Sequence, residues 1–267
     1  MKSLRFAATA VVLLIALASV AGGFLSRFDY ARQDREHVNA GASAEHWLGT
    51  DELGRDRFSR VLQGARVSLL LAPAAAAMSM LLAVIVGAAT GLSGGLRERA
   101  AKATIDLFLS VPWLFLLLMV RAMLPLNTSP MISAVVTFLV LGMLGWAAPG
   151  RILQARASRL RRSQFVLLAR ASGATRSRML FRHILPNLRP VLLAQFWITV
   201  PVFILAEANL SLLGLGVAEP LPSLGSLLRE METVLTLGGD PCRFAALFVL
   251  VAVVSGLQIA VSQQEAF

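Results

Sequence analysis

Six runs of apolar residues, each 18 to 26 residues long, dominate the sequence: Phe6–Leu25, Val67–Leu92, Ala103–Leu126, Met131–Pro149, Val191–Leu210 and Phe244–Val261. An α-helix rises ~1.5 Å per residue, so about 20 apolar residues cross a hydrocarbon core of ~30 Å. None of the runs alternates polar with apolar residues, as a barrel strand would. The pattern predicts an all-α, polytopic membrane protein with six transmembrane helices. Charged residues make up only 15% of the 267, well below the level of about a quarter usual in soluble domains. The first run admits a second reading: Lys2 and Arg5 precede it, and Ala16-Leu17-Ala18 could serve as a signal-peptidase site.

The placement of positive charge sets the orientation. The N-terminus carries Lys2 and Arg5 and no acid, whereas residues 26–66 balance seven basic against seven acidic residues. The next turn holds Arg97, Arg99 and Lys102 against Glu98, and the loop around Asn127 carries no charge. Residues 151–189 then hold ten arginines and no acid, and residues 211–243 hold four acids and two arginines. Basic loops thus alternate with neutral or acidic ones, which places residues 26–66 and 211–243 outside, residues 151–189 in the cytoplasm, and both termini in the cytoplasm. An arginine at mid-bilayer costs ~2.5–3.5 kcal/mol, so ten would cost roughly 30 kcal/mol there. In a soluble protein a net charge of +10 would suggest nucleic acid. Here the arginines cluster in membrane-adjacent loops, so lipid is the expected neighbour and nucleic acid is not.

The arginine-rich loop has its own local code. Gln164–Ser172 reads as a short helix and Thr175–Leu185 as a second, hinged at Gly173, because glycine takes the φ > 0 position past a helix end without a Cβ penalty. Thr175 suits the N-cap of the second helix. Pro186 lacks an N–H and disfavours αR at Leu185, which predicts that this helix stops there.

These residues resemble a known family. Ala169-Arg170-Ala171-Ser172-Gly173-Ala174, followed by Phe181-Arg182-His183-Ile184-Leu185-Pro186-Asn187, is similar to the coupling loop of permease subunits of ABC importers. His46-Trp47-Leu48-Gly49-Thr50-Asp51-Glu52-Leu53-Gly54-Arg55-Asp56 resembles the segment that follows the first span in the dipeptide, oligopeptide and nickel branch. Ser59-Arg60-Val61, Gly64-Ala65-Arg66-Val67-Ser68, Gly91-Leu92-Ser93-Gly94-Gly95, Asp106 with Pro112, and Glu207-Ala208-Asn209-Leu210-Ser211 through Val217 follow in the same order. The resemblance implies one transmembrane permease domain over residues 1–267 in a bacterial inner membrane. It also implies a second permease (a copy or a homologue), two cytoplasmic ATPase subunits and an extracytoplasmic substrate-binding protein. It assigns the ATPase contact to Leu168, Ala169, Ala171, Gly173, Ala174, Ile184, Leu185 and Pro186. Peptides are the first cargo it implies, with nickel or another small solute second. Two departures stand out. Leu167 occupies the position where the family carries a glutamate, and the chain stops at Gln263-Gln264-Glu265-Ala266-Phe267 without the charged tail common in the branch.

No Gly-x-x-x-x-Gly-Lys-Ser/Thr segment is present, so a phosphate-cradling loop must come from another polypeptide. No cofactor is expected on this chain, with ATP and Mg²⁺ held by the partner subunits, and no catalytic residue is assigned. Asp106 and Glu207 lie in or near apolar runs and are pathway candidates by default. For Asp106 the simpler reading is an interfacial pair with Lys102 or Arg99. Glu207 either faces the pathway or caps the loop after it. Arg121 is expected to snorkel to the outer interface. Gly87, Gly91 and Gly95 are spaced for close helix packing. His37, His46 and His183 are scattered, and no metal site is assigned. Asp51, Glu52 and Asp56 fit a polar outer loop with turns at Gly49 and Gly54. Two other classes stay open on the residues alone: an ion-driven secondary transporter using Asp106 and Glu207 as proton relays, and a membrane-embedded enzyme, for which no convergent acid–base set is apparent.

Overall fold

A computed structural model describes residues 2–123, 128–234 and 241–261. Helix α1 spans Lys2–Val20, and the irregular segment after it closes with two isolated β-bridges, Gln33 to Arg55 and Thr50 to Asp56. Gly49 and Gly54 make turns there, both at φ 72°. Asp56 ends the segment as an N-cap, accepting the Ser59 N–H at 2.8 Å. That cap explains why α2 runs over Arg57–Ser93, beginning ten residues before the apolar run. The last ten residues of the predicted outer loop 26–66 are therefore helical. At ~1.5 Å per residue a helix of 37 residues is about 55 Å long, more than the hydrocarbon core requires.

The third predicted span is broken. Helix α3 (Gly95–Ser110) and α4 (Trp113–Met123) meet at an angle of 81°. Pro112 supplies the cause: Val111 before it is extended, at φ −87° and ψ 129°, as the residue preceding a proline prefers. Among the described residues five helices are long and apolar enough to cross a membrane, and six crossings result if the bent pair counts as one. Helix α5 (Pro130–Arg161) continues well past Pro149, and α6 covers Gln164–Ala171. Helix α7 runs over Met179–Leu212 and passes straight through Pro186, Pro190 and Pro201. The predicted stop at Pro186 is thus corrected. Met179–Ile184 winds as a π-helix, and Pro186 falls in the first α-turn after it, where a missing N–H costs least. Amphipathic α8 (Leu224–Val234) and α9 (Ala245–Val261) complete the chain. The uncharged loop around Asn127 and the terminal Gln263-to-Phe267 segment lie outside the described residues.

The core forms where α2, α5, α7 and α9 meet, with Ala72, Ala75, Leu141, Phe203, Ile204 and Val253 fully or nearly buried. Small residues set the approach distances, as expected where packing rather than water exclusion drives association. A Cβ on Gly87 would lie 2.3 Å from the Gly150 carbonyl, and one on Gly91 would lie 2.7 Å from the Gln154 carbonyl. Gly95 meets nothing within 4 Å, so only the first pair of that glycine series is a packing contact. Helix α1 sits on the rim against α9 and leaves Phe6, Leu14 and Leu17 exposed. A second buried cluster (Ala83, Leu153, Ala157, Val166, Met179, Ile184 and Leu188) ties α6 and the start of α7 to α2 and α5.

Candidate functional site

Two places on the bundle carry chemistry, one at each end. At the arginine-rich end, α6 closes through paired backbone bonds: the Ala174 N–H reaches the Ala169 carbonyl at 3.0 Å, and the Gly173 N–H reaches the Arg170 carbonyl at 3.1 Å. Gly173 sits at φ 78°, which makes this a left-handed helix stop that a β-branched residue would strain. Thr175 then accepts the Arg178 N–H at 3.3 Å, as an N-cap should. The connection from α6 into α7 is a defined turn rather than a loose tether.

The predicted contact residues divide between two faces. Leu168 is 69% exposed, and Ala171, Gly173 and Pro186 are exposed as well. Ala169, Ala174 and Leu185 are half-buried. Ile184 is the correction: it is completely buried against Leu153 and Val166, so it anchors the loop to the bundle and presents nothing to a partner. Phe165 and Leu167 on α6 and Phe181 at the start of α7 are exposed as well, on an otherwise basic surface, and none of the three is among the predicted contact residues. Exposed apolar residues grouped in this way mark an interaction site. Glu98 faces this end too, accepting from Ser158 Oγ at 2.8 Å and pairing with Arg161 Nη2 at 3.0 Å.

Asp106 does not pair with Lys102 or Arg99. Its Oδ1 lies 3.4 Å from Arg151 Nη1 on α5, with both side chains about half exposed. The partner comes from another helix. Such an exposed pair is worth at most ~1 kcal/mol.

At the far end, Glu207 is completely buried, and its Oε1 accepts from Ser211 Oγ at 2.6 Å and Ser223 Oγ at 2.7 Å. Of its two predicted roles, the geometry matches the loop cap: it fastens the segment between α7 and α8. Gly225 makes room for it, since a Cβ there would lie 2.8 Å from Glu207 Oε2 and 2.5 Å from Ala208 Cα. Helix α8 is held onto α2 by the Leu224 N–H, which donates to Ser68 Oγ at 3.2 Å.

Above this floor a cavity of about 520 Å³ opens between the 51–61 segment, α4, the 211–219 turn, α8 and the start of α9. An ion-pair network closes one wall. Arg55 reaches Asp51 at 2.6 Å and Glu219 at 2.5 Å, while fully buried Arg60 reaches Asp51 at 3.5 Å, Glu219 at 3.4 Å and, more closely, Glu230. Two cations thus serve three carboxylates. Burial pushes the Glu230 carboxyl up to about 7 despite Arg60, and neighbouring Glu219 adds to the rise. Burial also works against Glu219, but Arg60 and Arg55 outweigh it and hold that carboxyl below its ordinary value.

Arg121 also lines the cavity, and it does not snorkel. It is 1% exposed, with Nη2 donating to Ser133 Oγ at 2.9 Å and to the Gly216 carbonyl at 3.3 Å, and Nε donating to Thr137 Oγ1 at 3.3 Å. The bend at Pro112 swings α4 inward against α5, so the side chain meets polar groups instead of the lipid boundary. His46 bonds Asp56 at 2.9 Å and His37 bonds Asp34 at 2.9 Å. Among the described residues no three His, Cys, Asp or Glu side chains gather as metal ligands would.

With this geometry in view, residues 58–267 match the family described as the binding-protein-dependent transport system inner membrane component. The chain is 34% identical to an oligopeptide transport system permease protein of Bacillus subtilis over 226 residues, covering 85% of this chain and 72% of that one. It is 32% identical to a dipeptide transport system permease protein of the same organism over 236 residues, covering 88% and 72%. An oligopeptide transport system permease protein of Mycobacterium tuberculosis shares 31% over 224 residues, covering 84% and 76%.

Proposed function

The chain belongs to the family of binding-protein-dependent transport inner membrane components, and on that premise we propose that it conducts di- and oligopeptides inward as one permease of an ATP-driven importer. It is a multi-pass protein of the inner membrane and a transport subunit. In this reading both termini and the arginine-rich end face the cytoplasm, where the positive-inside rule puts them. A second permease completes the pathway, and an extracytoplasmic binding protein delivers cargo to the cavity end. Two ATPase subunits, carrying ATP and Mg²⁺, grip the exposed face of α6.

The observation that carries the proposal is the continuity of α6, the Gly173 turn and α7. Leu168 and its apolar neighbours stand outward, while Ile184 and Met179 lock the same segment into the bundle. Force applied to α6 therefore passes into α7, a 34-residue helix that ends at the Glu207 cap beneath the cavity. Motion of the ATPases moves α6, tilts α7 and changes access to the cavity. This chain contributes the path and the lever, and the bond cleavage takes place on its partners.

An ion-driven mechanism finds less support: Asp106 sits in an exposed pair with Arg151, and Glu207 Oε1 accepts from two serine hydroxyls that tie it to the loop. The test is Gly173→Val in the reconstituted complex. Valine at a left-handed position strains the stop, so ATP hydrolysis should persist while uptake of tri-alanine falls at least tenfold. Undiminished uptake would defeat the lever.

A further inference from the structure

Arg121 is a buried cation without an anion. No carboxylate among the described residues comes within ion-pairing distance of it, and its Nη1 has no hydrogen-bond partner at all. A guanidinium does not shed its proton to escape that cost. Burying an unpaired charge is expensive enough that intramembrane cations normally serve a site. Ser133, Thr137 and the Gly216 carbonyl fix Nε and Nη2, which leaves the buried Nη1 as the unused donor of a side chain that lines the cavity.

The surroundings do not supply the missing partner. Of the carboxylates that line the cavity, Asp51, Glu219 and Glu230 are engaged by Arg55 and Arg60, and Glu52 makes no ion pair with Arg121. Arg243, on the same cavity, likewise has a buried Nη1 without a hydrogen-bond partner. The cavity therefore holds unspent guanidinium donors and about 520 Å³ of space, within the range that takes a small ligand.

We propose that Arg121 is a carboxylate-binding subsite of the permease itself, which receives the C-terminal carboxylate of a peptide entering the cavity, with Arg243 as a second donor. The proposal rests on the peptide-importer reading and adds a chemical criterion to it: a free carboxylate is recognised in the membrane subunit. Guanidinium and carboxylate match as paired donors and acceptors. The neutral hydroxyl and carbonyl partners position the fork without neutralising it, so a carboxylate supplies the one thing the site lacks.

Cys242 is the only cysteine in the sequence, and it lines this cavity. It can report occupancy in the permease–ATPase complex with cysteine-free partner subunits and no binding protein, so that the latter's selectivity does not enter. The rate of Cys242 modification by N-ethylmaleimide is measured against tri-alanine and tri-alanine amide. Tri-alanine should slow the reaction at roughly tenfold lower concentration than the amide, the scale of one charge-assisted contact. Arg121→Met should bring the two to parity, and Arg121→Lys should keep part of the preference. Equal protection by acid and amide in the unaltered protein, protection by neither, or a preference that survives Arg121→Met would overturn the subsite. ATP-driven uptake of tri-alanine is scored separately, in the same complex supplied with its binding protein. Loss of uptake in the unaltered complex with the Cys242 preference intact counts against the importer reading alone, and uptake without the preference counts against the subsite alone.

Discussion

Glu230 shows how a single side chain can couple an ion-pair network to pH. Its carboxyl is raised to about 7, chiefly by burial, from a value of 4.5 in the unfolded chain. Between those values the folded protein binds more protons than the unfolded one, so stability falls as pH rises through about 7. His37 works in the same direction. Its hydrogen bond to Asp34 raises it above 6.5, so what it contributes is present below that value and fades as pH climbs past its folded one. Thermal unfolding in detergent should therefore give a higher Tm at pH 6 than at pH 8, and Glu230→Gln should shrink that difference, leaving the part due to His37. An unchanged difference would show that burial does not raise this carboxyl. The sequence places Glu230 in a polar segment but gives no sign that Arg60, 170 positions earlier, would meet it. Arg121 is buried where the sequence reading expects it to snorkel, yet its burial leaves a trace in the sequence. Ser133 and Thr137, four apart on an otherwise apolar helix, form a polar stripe that signals a buried partner.

At the level of elements, apolar runs locate the helices well and their ends poorly. Hydropathy reports where lipid is, whereas caps and prolines decide where winding stops. Asp56 starts α2 ten residues before its apolar run, and a turn at Gly145 and Trp146 puts Pro149 in the first turn of a renewed helical stretch, so α5 carries on to Arg161. Pro112 and Pro186 look alike in sequence, yet one breaks a helix and the other does not. Pro112 is preceded by an extended Val111, while Pro186 follows a π-turn that places it at the start of an α-segment. The glycine stop at Gly173 was fully legible, because its cause is local. The two faces of the coupling segment were not, since burial of Ile184 depends on Leu153 and Val166. Those faces should separate by mutation. Leu168→Asp should abolish recovery of the ATPase in a pull-down while leaving the Tm of the isolated permease within a few degrees. Ile184→Ala removes a buried side chain from a packed cluster, a change that costs ~2–5 kcal/mol, and should lower the Tm clearly. Loss of ATPase recovery in neither variant would remove α6 from the interface.

For the whole molecule, the ends of the bundle differ in kind, and the mechanism depends on which lies inside the cell. One end gathers ten arginines around an exposed apolar helix, with Glu98 tied to Arg161. The other gathers balanced ion pairs around a cavity, with Glu207 fastening its floor. Long helices α2 and α7 join the two, so displacement at one end cannot remain local. The charge difference predicts that the arginine-rich end lies in the cytoplasm, because an exported loop with ten arginines and no acid would defy the positive-inside bias. Single thiols in a Cys242→Ser background test this directly. Ala44→Cys and Ala171→Cys both replace exposed residues at opposite ends. In intact spheroplasts an impermeant maleimide should label Ala44→Cys and leave Ala171→Cys untouched until the membrane is opened. The converse labelling would put α6 beyond the reach of any cytoplasmic ATPase, and the cavity would then face the side from which no binding protein delivers cargo.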